Sequence, residues 1–322
     1  LNARVVLDPQ KRQITLDAGF SEDADGVIAN LLALRGDPSV DARLSAGGTF
    51  ADWSGRFSLA LNQKESFAGS ATAASDPLGQ TITVTGGGEL APLLPLWLEK
   101  PFAGVSTLSA RVLIPKGAGA ADIDHVSLDG AAYGFRMAGV ADWTGTRNNL
   151  TAELIAKDPA STFELPRSAL LGNGTVAGLQ LRAQVEGAYA SPAWRASVAW
   201  VSLAADRLGL ERMEATLQGQ GIGPVTFNGD LAADVVQGRS GTLPPASLGP
   251  LKGSITGTLR DGGTLDIAQT ALTVGAVALG GSGTIETATG SFDLQIQGKA
   301  DSPQTGSAAV DRLLAGPVTA EG

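Results

Sequence analysis

Apolar and polar residues alternate with a period of two through nearly the whole chain, and this restricts the fold more than any other feature. Phe57, Leu59 and Leu61 take one parity while Ser58, Ala60 and Asn62 take the other. Ile82 and Val84 alternate with Thr81, Thr83 and Thr85. Leu179, Leu181, Ala183 and Val185 alternate with Gln180, Arg182, Gln184 and Glu186, and Phe292, Leu294 and Ile296 with Ser291, Asp293, Gln295 and Gln297. Similar runs occupy 40–46, 108–114, 152–156, 213–217 and 255–259. Successive side chains of a strand point to opposite faces, so one apolar parity describes half-buried strands rather than helices or a fully buried parallel sheet. Turn-forming clusters, clearest at Asp261-Gly262-Gly263 and Asn173-Gly174, punctuate the runs. The class is all-β.

Four short segments leave this pattern. Residues 22–35 place Val27, Ile28, Leu31, Leu32 and Leu34 at helical spacing, with Ser21 as N-cap and Gly36 beyond the end. Residues 307–315 repeat the scheme, with Ser307 as cap, Val310, Leu313 and Leu314 as the stripe, and Gly316-Pro317 as the stop. Residues 90–99 and 167–171 are weaker versions. A few short amphipathic helices are therefore expected. The block Ala51-Asp52-Trp53-Ser54-Gly55 returns as Ala141-Asp142-Trp143-Thr144-Gly145, with a strand after each, and predicts equivalent corners in which Trp53 and Trp143 pack alike. Such echoes without one short period describe a continuous β-rich segment over residues 1–322 built from loosely repeated blocks, with one candidate seam near 242–250.

Composition narrows the chemistry. Cysteine is absent and histidine occurs once, which removes disulfides, thiol nucleophiles and multi-histidine metal sites. A net charge of −9 argues against nucleic acid as a partner. Apolar residues at 43% and charged residues at 17% are incompatible with a disordered chain. The longest apolar run, 90–98, is too short to span a membrane as a helix. His125, in Asp122-Ile123-Asp124-His125, reads as a solvated histidine on a strand's polar edge. Asp23-Ala24-Asp25-Gly26 lacks the further ligands of a calcium loop. Gly86-Gly87-Gly88 and Gly280-Gly281-Ser282-Gly283 lack the context of a phosphate cradle and read as turns and bulges. Trp97, Trp194 and Trp200 read as core residues, with a groove rim as the alternative. No Gly-x-Ser-x-Gly elbow is present. The residues thus suggest no enzyme, no cofactor and no metal.

Roughly 20 strands with one apolar face each need a cover, from a second sheet, from closure into a barrel, or from a ligand in a curled trough. The aliphatic positions, poor in aromatics, suit either a sandwich core or acyl chains. At this point a resemblance enters. The run from Leu31 through Gly55 to Leu61, with its leucine-rich turn, Gly-x-Pro, strand, Gly-Gly step and Asp-Trp-Ser-Gly, resembles a block of the TamB family, the inner-membrane subunit of the translocation and assembly module. Residues 88–95, 174–187 with 215–221, and 313–322 are similar to the same family, and AsmA-like proteins share the texture.

The resemblance implies a long curled antiparallel-type β-sheet trough, taco-like in section, within a longer periplasmic chain anchored to the inner membrane by a segment outside these residues. It implies phospholipid as cargo, an outer-membrane barrel partner of the Omp85 type engaged through a C-terminal domain outside these residues, and a link to outer-membrane protein assembly. The groove lining it implies is Leu59, Leu61, Ile82, Val84, Leu179, Leu181, Val185, Leu259, Leu294 and Ile296. An adhesive surface β-protein, such as an autotransporter passenger, is the alternative, and long Asn/Thr/Ser ladders would favour it. A polysaccharide-active enzyme would need clustered carboxylates and surface aromatics.

Overall fold

In the computed structural model the alternating runs are strands that follow one another up and down. The structure describes residues 2–8, 10, 12–31, 34, 36–49, 51–94, 99–117, 119–145, 147–168, 172–206, 208–221, 224–240, 243–260, 263–275, 277–286, 291–300 and 318–321. The chain divides into two units, residues 1–165 and 166–322.

The first unit holds β1 (Asn2–Asp8), β2 (Gln13–Glu22), the short helix α1 (Val27–Leu31), β3 (Val40–Thr49), β4 (Trp53–Leu61), β5 (Lys64–Ser75), β6 (Gly79–Glu89), β7 (Val105–Pro115), β8 (Ala120–Asp129), β9 (Tyr133–Asp142) and β10 (Asn148–Ala156). Each strand pairs antiparallel with the next. Local chemistry makes the hairpins. Asn62 and Gln63 both take positive φ (48° and 64°), the two-residue turn whose twist matches the strands it joins. Asp76 Oδ1 accepts from the N–H groups of Leu78 (2.7 Å) and Gly79 (3.0 Å).

β11 (Thr162–Ser168) spans the division. The second unit continues with β12 (Gly172–Ala177), β13 (Gln180–Gly187), β14 (Ala193–Ala205), β15 (Leu208–Gln220), β16 (Val225–Ser240), β17 (Leu243–Leu259), β18 (Thr264–Val274), β19 (Val277–Glu286), β20 (Phe292–Ala300) and β21 (Val318–Glu321). β12 and β13 lie end to end along one side of β14, and Gly178 (φ 66°) lies between them. From β14 to β21 each strand pairs antiparallel with the next.

Directly opposed residues of an antiparallel pair share a face, so the register traces each face across a unit. In the first unit one row runs Val5–Leu16–Ala46–Gly55–Ala71–Val84–Ala110–Val126–Met137–Ala152 over ten strands without a polar side chain. A row of the opposite parity runs Asp17–Ser45–Arg56–Ser70–Thr85–Ser109–Ser127–Arg136–Glu153 without an apolar one. The second unit repeats the contrast. Val185–Trp194–Gly219–Phe227–Gly257–Ile267–Gly283–Leu294 lies on one face, and Gln184–Arg195–Gln218–Asn228–Thr256–Gln269 on the other.

Buried side chains gather at the strand ends. Ala29 of α1 and Leu34 pack on Val40 and Leu61, with Phe20, Leu59 and Leu93 against them. Tyr133 is fully buried, its ring edge-on to Phe163 (6.2 Å).

Several expectations are corrected. Of the first expected helix the described residues show α1, with Glu22 in β2 and Leu34 outside any helix; 91–93 form one 3-10 turn, and Arg167 and Ser168 belong to β11 rather than to a helix. Asn173-Gly174 lies inside β12, Gly86–Gly88 inside β6 and Gly280–Gly283 inside β19, so none of these is a turn. Trp53 opens β4 and is half-buried, whereas Trp143 sits in the turn beyond β9 and is 53% exposed; the two corners are not equivalent. From Leu243 onward the expected seam is part of β17. Residues 307–315, 95–98 (with Trp97), Asp261 and Gly262 lie outside the described residues.

Candidate functional site

Glycine marks the face on which neighbouring strands of each unit come closest, here called concave, and it is the apolar one. A Cβ on Gly69, Gly88 or Gly139 of the first unit would fall 2.3, 2.1 or 1.9 Å from a carbonyl oxygen of the neighbouring strand. On Gly219, Gly257 and Gly283 of the second unit the distances are 2.2, 2.4 and 2.1 Å. All six belong to apolar rows. Polar-row glycines have room, with nothing within 4 Å of Gly19 and nearest atoms at 3.5 Å for Gly87 and Gly280. Gly79, the first residue of β6 beside the Asp76 turn, is the polar-parity exception at 2.2 Å. Gly88, Gly139 and Gly283 also take positive φ (151°, 125° and 151°), which by itself calls for glycine; Gly69, Gly219 and Gly257 do not, and there the close approach of the neighbouring strand on the apolar side is what requires it.

The large apolar residues use the same glycines. The Cβ position of Gly69 is 2.4 Å from Phe57 Cζ, that of Gly219 is 2.5 Å from Trp194 Cζ2, and that of Gly253 is 2.3 Å from Leu272 Cδ2. These side chains lie flat across the glycine of the next strand. The result is a low aliphatic and aromatic lining that stays part-exposed away from the α1 segment. Leu181 is 39%, Leu259 38% and Ile296 49% exposed although each sits in an apolar row.

Nine of the ten expected lining residues occupy concave-face strand positions. Leu59 and Leu61 are in β4, Ile82 and Val84 in β6, Leu181 and Val185 in β13, Leu259 in β17, and Leu294 and Ile296 in β20. Leu59 and Leu61 lie beneath the α1 segment, Leu61 fully buried, and offer little open surface. Leu179 is buried between β12 and β13 rather than in a strand. Phe57, Trp194, Leu217 and Phe227 share the concave face and were not among the residues expected there. Each follows its strand's apolar parity, which was the available signal.

The convex face carries the polar groups. His125 is there, its Nε2 3.0 Å from Ser109 Oγ and its Nδ1 3.2 Å from Asp124 Oδ2. At the β9–β10 turn, Asn148 exchanges two hydrogen bonds with the Asp142 backbone (2.8 and 3.0 Å). Burial pushes the Asp142 carboxyl up, but the Thr144 N–H and hydroxyl, together with the Arg147 N–H and guanidinium, outweigh it and hold the group below the usual carboxylate range. Among the described residues no cluster of three His, Asp or Glu could hold a metal ion, and no helix is long and apolar enough to cross a membrane. No family model, curated protein or solved structure matches the chain.

Proposed function

We propose that the chain is part of an envelope-spanning lipid conduit, its concave apolar faces shielding phospholipid acyl chains between inner and outer membranes. In this reading it belongs to a TamB-like periplasmic protein, anchored to the inner membrane outside these residues and linked, through an outer-membrane barrel partner, to outer-membrane protein assembly. The observation that carries the proposal is the uncovered apolar face. At about 4.8 Å per strand, the Val5–Ala152 row extends about 43 Å and the Val185–Leu294 row about 34 Å, the scale of the roughly 30 Å that two opposed acyl chains fill in a bilayer. A methylene covered on one side gains roughly 0.4 kcal/mol, so a 16-carbon tail gains about 6 kcal/mol in total. That is enough to hold a tail out of water. It is spread over many equivalent positions, so no single site traps the tail.

Native mass spectrometry with lipid extraction, on protein expressed in a bacterial periplasm, tests the proposal. Several phospholipids per chain are expected, reduced in Leu181→Asp and Leu294→Asp and unchanged in Gln180→Asp and Gln295→Asp. A folded, lipid-free wild type would overturn it.

A further inference from the structure

We propose that Ser109, His125 and Asp124 form an acyl-transfer site for carboxylic esters on the polar face of the first unit, opposite its apolar face. The arrangement starts from a fault in the strand. Neighbouring residues of a regular strand point to opposite faces, but the register of β8 slips at Ile123/Val126 and against β7 at Arg111/Val112. This bulge lets Asp124 and His125, consecutive in sequence, meet at 3.2 Å. Asp124 Oδ2 accepts from Nδ1, which selects the tautomer whose Nε2 carries a lone pair. That nitrogen accepts from the Ser109 hydroxyl at 3.0 Å. Nucleophile, base and orienting carboxylate thus stand in the order that acyl transfer needs, each bonded through the correct atom.

The surroundings supply the rest. Arg111 lies directly opposite His125, and Arg136 opposite Ser127, which is itself opposite Ser109. A cavity of about 520 Å³, within the range of small-molecule sites, adjoins the imidazole and is lined by His125, Ser127, Asp129, Arg136, Thr151 and Glu153, with Ser109 outside its lining on the far side of the ring's hydrogen bond. Arg136, directly opposite Glu153 in the same row, is a cation on this face from which a developing oxyanion can draw stabilisation. In the first step Ser109 Oγ bonds to the acyl carbon and its proton passes to His125 Nε2. The ester C–O bond then breaks and the alcohol leaves with that proton. Water, deprotonated by His125, attacks the acyl carbon, and the carboxylic acid leaves as Ser109 recovers its proton.

The test is covalent labelling of the full chain with a fluorophosphonate probe, read by intact mass and peptide mapping, with circular dichroism confirming the fold of each variant. One adduct on Ser109 is expected in the wild type and none in Ser109→Ala. Labelling should slow on the order of 100-fold in His125→Gln. Asp124→Asn should be at least about tenfold slower, with Asp124→Glu restoring most of the rate, as fits a positioning carboxylate. Wild type stripped of lipid should label as fast as untreated protein, which separates this site from the lipid proposal. Absence of a Ser109 adduct, under conditions that fully label a serine esterase, would overturn the inference. So would unchanged labelling in His125→Gln.

Discussion

Consider two alanine substitutions that add the same methyl group to opposite faces of one hairpin. Gly69 in β5 lies on the concave face and Gly87 in β6 on the convex face; neither takes positive φ, so the change in backbone preference is the same at both. In a strand that preference alone favours alanine by about 0.5–1 kcal/mol. At Gly87 the new Cβ meets nothing nearer than Ser106 O at 3.5 Å, ordinary contact, and the gain is kept. At Gly69 it would sit 2.3 Å from Thr85 O and 2.4 Å from Phe57 Cζ. The ring can swing away, but the carbonyl belongs to the backbone of β6, so relief requires the two strands to part. Overpacking of this kind costs about 1–3 kcal/mol. Gly87→Ala should therefore raise the urea midpoint slightly and Gly69→Ala lower it, a separation of about 1–3 kcal/mol between the variants. In thermal unfolding that is about 2–12 °C for a unit of this size. Adding Phe57→Leu to Gly69→Ala should recover only the ring's share. Equal effects of the two single substitutions would refute the assignment of concave and convex faces.

Other outcomes follow from single features. Leu34→Ala should destabilise the first unit by about 2–4 kcal/mol, because Leu34 is buried over Val40 and Leu61; denaturant unfolding measures it, and a loss under about 0.5 kcal/mol would remove the α1 segment from the core. Asp142 is held below the usual carboxylate range in the native state. Its contribution is therefore present at neutral pH and lost as pH falls through that lowered native value. Asp142→Asn should be less stable at pH 7, and its stability should fall less between about pH 5 and pH 2 than that of the wild type. Parallel curves for the two proteins would exclude the linkage.

Strand positions and face parity were legible because each run of alternation is local; Phe57 to Leu61 needs no partner to show its sides. Curvature was not. Gly86–Gly88 reads as a turn because the residue that permits tight turns is also the one that permits close strand approach, and only the register of β6 against β5 separates the two uses. Asn173-Gly174 carries turn chemistry, yet Gly174 pairs with Ala205 in β14, so tertiary pairing overrides local preference. The alternation of large residues with glycine along the Trp194–Gly219–Phe227–Gly257 row exists only across strands, between residues 25, 8 and 30 positions apart in sequence. The convergence of Ser109 on His125 was hidden for the same reason, and the bulge that adds Asp124 leaves no mark in the composition.

The central claim, that acyl chains lie on the concave faces, is tested most directly by photocrosslinking in cells. A benzophenone amino acid at Leu217, in an apolar row, is compared with the same group at Gln218 on the opposite face. The account predicts phospholipid adducts from position 217 and none from position 218. Equal lipid adducts at both positions, or protein adducts alone from position 217, would contradict it.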